Sequence, residues 1–188
     1  MTIVYYGEAL AAYGFGEDHP FGPDRLDVFW KSACQSGLNN KVQVASPVSA
    51  KKEELELFHT PSYVEKLIRL SSEGSGSLDC GDTPAFPGIY ESACVVAGCV
   101  LDGARRIIDG KDNRAFIPIG GLHHARRNTA AGFCAINDIG IVIEELRRNH
   151  NIRRIAYVDI DAHHGDGVFY EYENDAEVFI ADIHEDGN

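Results

Sequence analysis

Ile155-Ala-Tyr-Val-Asp-Ile-Asp-Ala-His-His-Gly-Asp-Gly167 runs from a short apolar stretch straight into three acids and two histidines. Ile155–Asp159 reads as a strand, Gly167–Tyr172 as a short helix and Val178–Ile183 as the next strand. Nearly continuous apolar character in Ile155–Val158 and Val178–Ile180, with a helix between, is the pattern of parallel strands joined by a crossover and covered on both faces. The fold class is therefore α/β, a parallel sheet flanked by helices. In such sheets ligands bind beyond the carboxyl ends of the strands, where this run places its charge.

Outward from that unit the alternation continues. Thr2–Tyr6, Val42–Ala45 and Arg114–Ile119 read as strands. A helix running towards Gly37 is expected after Pro23, and others over Lys51–Phe58, Ser62–Leu70 (opened by Pro61), Ile89–Ile108 and Asn137–Asn149. Asn137-Asp138 could cap the last of these, and Arg147-Arg148 complement its dipole at the other end. Residues 71–88, rich in Gly, Ser and Pro, read as one long flexible loop. The chain reads as a single domain, 1–188.

Composition narrows the function. Seventeen Lys and Arg against 29 Asp and Glu leave a net charge of -12, which argues against direct nucleic-acid binding. No apolar run is long enough to span a membrane, and Met1-Thr-Ile-Val-Tyr-Tyr6 lacks the basic head and apolar centre of a signal peptide. Five scattered cysteines, none in a C-x-x-C pair, read as reduced thiols in a cytoplasmic protein, most of them in the core.

The chemistry concentrates in Gly120–Gly132, Asp159–Gly167 and Asp182–Glu185. Strand periodicity would put residues 159, 161 and 163 on one face, so Asp161 and His163 can meet one metal with Asp159 beside them. Carboxylate plus imidazole suits Zn²⁺ or Fe²⁺ better than Ca²⁺. An isolated D-x-H is commonly a helix cap; D-x-D-x-H-H-G-D-G at a strand end is not. The adjacent pair His123-His124 in Ile119-Gly-Gly-Leu-His-His-Ala125 offers two ligands, a general acid and base, or neither. If Asp161 and His163 hold the metal, Asp159 and Asp166 are free to accept from the Nδ1–H groups of the pair. Two His–Asp pairs beside a metal-bound water make a hydrolase layout.

Gly121-Leu-His-His-Ala-Arg126, Ala131-Gly-Phe-Cys-Ala-Ile-Asn-Asp138 and Val158–Gly167 resemble the histone deacetylase superfamily, which includes acetoin-utilisation and acetylpolyamine amidohydrolases. Phe58-His-Thr-Pro-Ser-Tyr63 and His19-Pro-Phe-Gly-Pro-Asp-Arg25 fit as well, so the resemblance spans nearly the whole chain. It implies an arginase/deacetylase-like fold and removal of an acetyl or other acyl group from an amine. By the same resemblance Asp161 and His163 would be zinc ligands, with Fe²⁺ as the other candidate metal. His123 and His124 would be the catalytic pair, held by Asp159 and Asp166. Phe133 would wall a narrow tube, Asp82 would grip the substrate backbone at its rim, and Arg25 would line an exit for acetate. Asp159, Asp161, His163 and Asp182 would border a K⁺ or Na⁺ site, partly through main-chain carbonyls.

Two departures accompany it. Asp182 stands where many members have Ser. Members are also longer, and the third zinc ligand, an Asp, and the oxyanion-stabilising Tyr would lie beyond Asn188, so the chain reads as truncated. The 188-residue chain alone is thus expected to be inactive or nearly so, and the alternative function is a non-catalytic metal-binding or partner-binding fragment. A small or peptide acylated amine is the expected partner, with self-association through an open strand edge after Val178–Ile183 a further expectation. His59 reads as structural, His150 as a solvated helix end, and Tyr157, Tyr170 and Tyr172 as packing; His184 is left open.

Overall fold

The structure is a computed structural model that describes residues 1–16 and 19–186. Its elements run β1 (Thr2–Tyr5), α1 (Glu8–Ala11), α2 (Arg25–Gln35), a 3₁₀ turn at Leu38–Lys41, β2 (Gln43–Ala45), α3 (Lys52–Leu55) and α4 (Pro61–Glu73). They continue with α5 (Ile89–Ile108), β3 (Arg114–Phe116), α6 (Asp138–His150), β4 (Ile155–Asp159), α7 (Asp166–Tyr172) and β5 (Val178–Asp182).

All strand pairings are parallel. β2, β1 and β3 form one ladder in that order, and β4 pairs with β5 from Ile155↔Val178 to Asp159↔Asp182. The α/β arrangement of parallel strands and flanking helices expected from the sequence forms, but as two ladders, and not every face is covered. Among the described residues β3 and β4 do not pair, and a cavity of about 760 Å³ lined by Phe116, Tyr157 and Val158 lies between their edges. Val158 and Phe179 are 65% and 67% exposed, so one face of the β4–β5 ladder is open. Its other face, with Ile155, Tyr157 and Ile180, packs on the core.

α5 is the central helix. Its apolar positions Ile89, Ala93, Val96, Ala97 and Leu101 recur at helical spacing and are buried, sharing one core with Ile3 and Tyr5 of β1 and with Ile141 and Ile143 of α6. α4 starts on Thr60, whose Oγ1 accepts from Tyr63 N, with Pro61 in its first turn. It reaches Glu73, so residues 71–73 are helix and the loop begins at Gly74, not at Ser71. The cause is tertiary: Ser71 is buried, donating to Glu91 Oε2 (2.9 Å) and accepting from Tyr90 N (3.1 Å). The remaining loop carries its own hydrogen bonds. Asp79 Oδ1 accepts from Gly81 N (2.8 Å) and Thr83 N (3.2 Å), and Leu78 is fully buried. Cys94, Cys99 and Cys134 are buried, with burial pushing the Cys134 thiol up to about 12; Cys34 and Cys80 are exposed.

Candidate active site

The His pair sits on the loop after β3, and two features hold that loop. Asp138, at the start of α6, is buried and accepts from Gly121 N (2.9 Å) and Leu122 N (2.7 Å). Asn137 caps α6 by accepting from Gly140 N, while its amide donates to Ala125 O (2.8 Å). Burial raises the Asp138 pKa despite the two backbone donors. Behind Asn137 stands His59, whose Nε2 accepts from Asn137 N at 2.9 Å. Burial pushes His59 down to about 4, which keeps the ring neutral and makes it the structural residue the sequence suggested.

Each histidine of the pair faces its own acid. His123 Nδ1 donates to Asp159 Oδ2 at 2.6 Å, and His124 Nδ1 donates to Asp166 Oδ1 at 2.7 Å. Burial works against the charged form of Asp159, yet the Tyr157 hydroxyl and His123 outweigh it and hold the carboxyl below the usual carboxylate range. Asp166 is likewise held low against burial, by His124 and Arg126. Ionised carboxylates only accept, so both rings carry hydrogen on Nδ1. The two Nε2 atoms then meet at 3.1 Å.

Asp161 and His163 extend from β4 into the same space. Asp161 Oδ1 accepts from His163 N (2.8 Å) and lies 2.9 Å from His163 Nδ1 and 4.0 Å from His123 Nε2. Burial opposes the Asp161 charge, and the His163 backbone and ring overcome it. Both side chains are open to solvent. An ionised carboxylate and an imidazole, both exposed at a cavity, fit a divalent transition metal as two ligands. Among the described residues no third ligand atom joins these two within metal-binding range.

Together, His123, His124, Asp161 and His163 line one cavity of about 550 Å³ at the carboxyl edge of the strands, as their spacing predicts. Phe133, Asp82 and Arg25 line it too. Phe133 has φ +67°, rare for a bulky residue, and is fixed from both sides: its N–H donates to Thr83 Oγ1 (3.2 Å) and its carbonyl accepts from Tyr13 Oη (2.8 Å). Its neighbour Gly132 has φ +54°, and a Cβ there would stand 2.4 Å from His124 Cδ2. Asp182 is turned elsewhere; its carboxylate accepts from the rings of His164 and His184.

The Histone deacetylase domain family matches residues 19–188. The chain belongs to the histone deacetylase family. It is 35% identical to histone deacetylase RPD3 of Saccharomyces cerevisiae over 99% of its own length and 44% of that protein. It is 31% identical to the acetoin utilization protein AcuC of Bacillus subtilis, over 99% of the chain and 50% of that protein. The solved HDA15 HD domain superposes with a TM-score of 0.86 at 25% identity, covering 97% of this chain and 53% of that one. The chain thus spans about half the length of the relatives it matches.

Sequence reasoning missed Asp138 as the clamp on the His loop, having taken it for part of a helix cap, and missed Tyr157, taken for packing. The Tyr157 hydroxyl donates to Asp159 Oδ2. Strand alternation carried the available signal, since residues 157 and 159 share a face. Arg127, on the same loop as the His pair, is tied to Glu171 (2.7 Å), Glu144 (3.0 Å) and Phe58 O (3.1 Å).

Proposed function

We propose that this chain forms the His–Asp side of a metal-dependent amidohydrolase that removes an acetyl group from an amine, acetyl-lysine or an acetylpolyamine. The carrying observation is the pair of parallel dyads, His123–Asp159 and His124–Asp166, opening on one cavity beside Asp161 and His163. Asp161 and His163 are the residues that would hold Zn²⁺ or Fe²⁺, which when bound polarises a carbonyl and lowers the pKa of water.

The imidazoles move the protons. One ring takes a proton at Nε2 from the attacking water, while its Nδ1–H bond to Asp159 or Asp166 stabilises the imidazolium that forms. The 3.1 Å contact between the two Nε2 atoms lets the pair share that proton and return it to the leaving amine. The C–N bond breaks, and acetate and free amine leave. Phe133 walls the channel for the acylated arm, Asp82 holds the substrate at the mouth, and Arg25 attracts the departing acetate. Asp159, Asp161, His163 and Asp182 are proposed to border a K⁺ or Na⁺ site, partly through main-chain carbonyls.

Among the described residues no helix is long and apolar enough to cross a membrane. A cytoplasmic setting is part of the proposal, as is an acylated amine rather than nucleic acid as partner. A second reading, metal or partner binding without turnover, is favoured by the two-ligand character of Asp161 and His163. Acetate release from acetyl-lysine peptide and from acetylspermidine by the intact protein with Zn²⁺ separates the two. Hydrolysis that falls with His124→Ala supports the amidohydrolase. Metal uptake with neither substrate hydrolysed supports the second reading.

A further inference from the structure

We propose that His164, Asp182 and His184 form a metal site for a divalent transition-metal ion, separate from the Asp161–His163 pair. Nothing in the proposed reaction uses these three residues together.

The site is built from two adjacent segments. β5 ends at Asp182, and His184 follows two positions later, so both side chains emerge on one side. His164 comes from the loop between β4 and α7, beside the paired strand end Asp159↔Asp182. Successive histidines diverge there. The ring of His163 stands 5.9 Å from that of His124, at the candidate active site, whereas the ring of His164 stands 4.6 Å from that of His184 and 5.0 Å from Phe169.

Asp182 is the hub. Its side chain is 6% exposed, with Oδ2 accepting from His164 Nδ1 (2.6 Å) and Gly165 N (3.0 Å), and Oδ1 accepting from His184 Nδ1 (2.9 Å). One ligand atom from each of the three residues lies within 4.8 Å of the others, a grouping that among the described residues occurs only here.

Two imidazoles and one carboxylate are borderline donors, suited to Zn²⁺, Co²⁺, Fe²⁺ or Ni²⁺ and poor for Ca²⁺ or Mg²⁺. With bonds of ~2.0–2.2 Å, tetrahedral ligands sit roughly 3.4 Å apart, so the 2.6 Å contact of His164 and the 2.9 Å contact of His184 with Asp182 would each have to open by about half an ångström or more. A ring that ligates through Nδ1 carries its hydrogen on Nε2. Three protein ligands leave a position for water, and His184, on the exposed side, gives the ion a way in. The bound ion would clip the end of β5 to the loop that carries Asp161 and His163.

The test is a Co²⁺ titration of the 188-residue chain, followed by its visible absorption, in an Asp161→Asn/His163→Ala background that removes the other pair. One equivalent is expected to bind there with the intense bands of a low-symmetry N/O site. Losing a residue that merely supports a ligand costs about 10–100-fold in affinity, so adding His184→Ala should cost more than about 100-fold. His184→Asn, which can still donate to Asp182 Oδ1 but ligates poorly, should lose the ion equally while its far-UV spectrum stays unchanged. It remains decisive if the alanine variant misfolds. Absence of bands in the double-variant background, or bands indifferent to both His184 changes, would overturn the site and leave a hydrogen-bonded triad. Neither result bears on hydrolysis at the His123–His124 pair.

Discussion

His123 and His124 touch nitrogen to nitrogen, Nε2 to Nε2 at 3.1 Å, while each Nδ1 is committed to a different carboxylate. With both Nδ1 hydrogens spoken for, the contact is attractive only when one proton lies between the two Nε2 atoms. In the proposed reaction the pair acts as a single proton reservoir with an acid on each side. Removing one acid should impair proton handling more than it impairs folding.

Asp159→Asn tests that directly. The amide keeps the volume and the acceptor for Asp161 N (3.0 Å) but loses the charge that supports an imidazolium at His123. Turnover should fall about 10–100-fold or more, with the thermal midpoint little changed. Equal turnover in a folded variant would remove Asp159 from the proton path.

Tyr157→Phe should act on stability first. Its hydroxyl is pushed to a higher pKa by burial and then by Asp159, and it donates to that carboxylate's Oδ2. Deleting the donor leaves the buried oxygen with His123 alone and should cost about 1 kcal/mol in urea unfolding.

The buried ring of His59 makes stability depend on pH. An unfolded histidine titrates near 6.5, whereas burial holds the folded ring at about 4. A depressed folded pKa contributes stability that is complete above 6.5 and lost as pH falls towards 4. At its limit the loss is on the order of 3 kcal/mol. His59→Gln, whose carbonyl oxygen can accept from Asn137 N, should flatten that part of the unfolding free energy against pH between 6.5 and about 4. An unchanged slope would mean another group controls it.

Gly132→Ala should disturb the site through backbone and contact together. φ +54° disfavours a side chain, and the added Cβ would be 2.4 Å from His124 Cδ2. The variant should lose about 1–2 kcal/mol and most of its turnover, checked by thermal unfolding and acetate release.

Much of this was legible in the sequence because its signals are local. Ile89–Ile108 and Ile155–Asp159 match their observed limits, since continuous apolar spacing and a clear stop at Gly110 or at Asp159 are read from neighbours alone. The convergence of His123, His124, Asp161 and His163 followed from motif spacing and strand alternation. What was not legible depends on distant partners. Ser71 is helical because of Glu91 and Tyr90, and Asp138 is a clamp because Gly121 and Leu122 turn their N–H groups to it. The open edges of β3 and β4 escape for the same reason, since an apolar run reports what a strand wants against it and not what lies there. His184 could not be assigned until Asp182 and His164 were seen beside it.

The measurement that bears most directly on the account is metal-dependent hydrolysis of a fluorogenic acetyl-lysine peptide by the intact protein, compared with its Asp161→Asn and His163→Ala variants. Turnover is expected, abolished by a chelator and restored by Zn²⁺ or Fe²⁺. Each variant should lose it while keeping the fold by circular dichroism, because each removes a proposed metal ligand from the cavity at the carboxyl edge of β4. Hydrolysis that survives both substitutions at the original rate would contradict the assignment of the metal to Asp161 and His163, and with it the proposed chemistry of the His123–His124 pair.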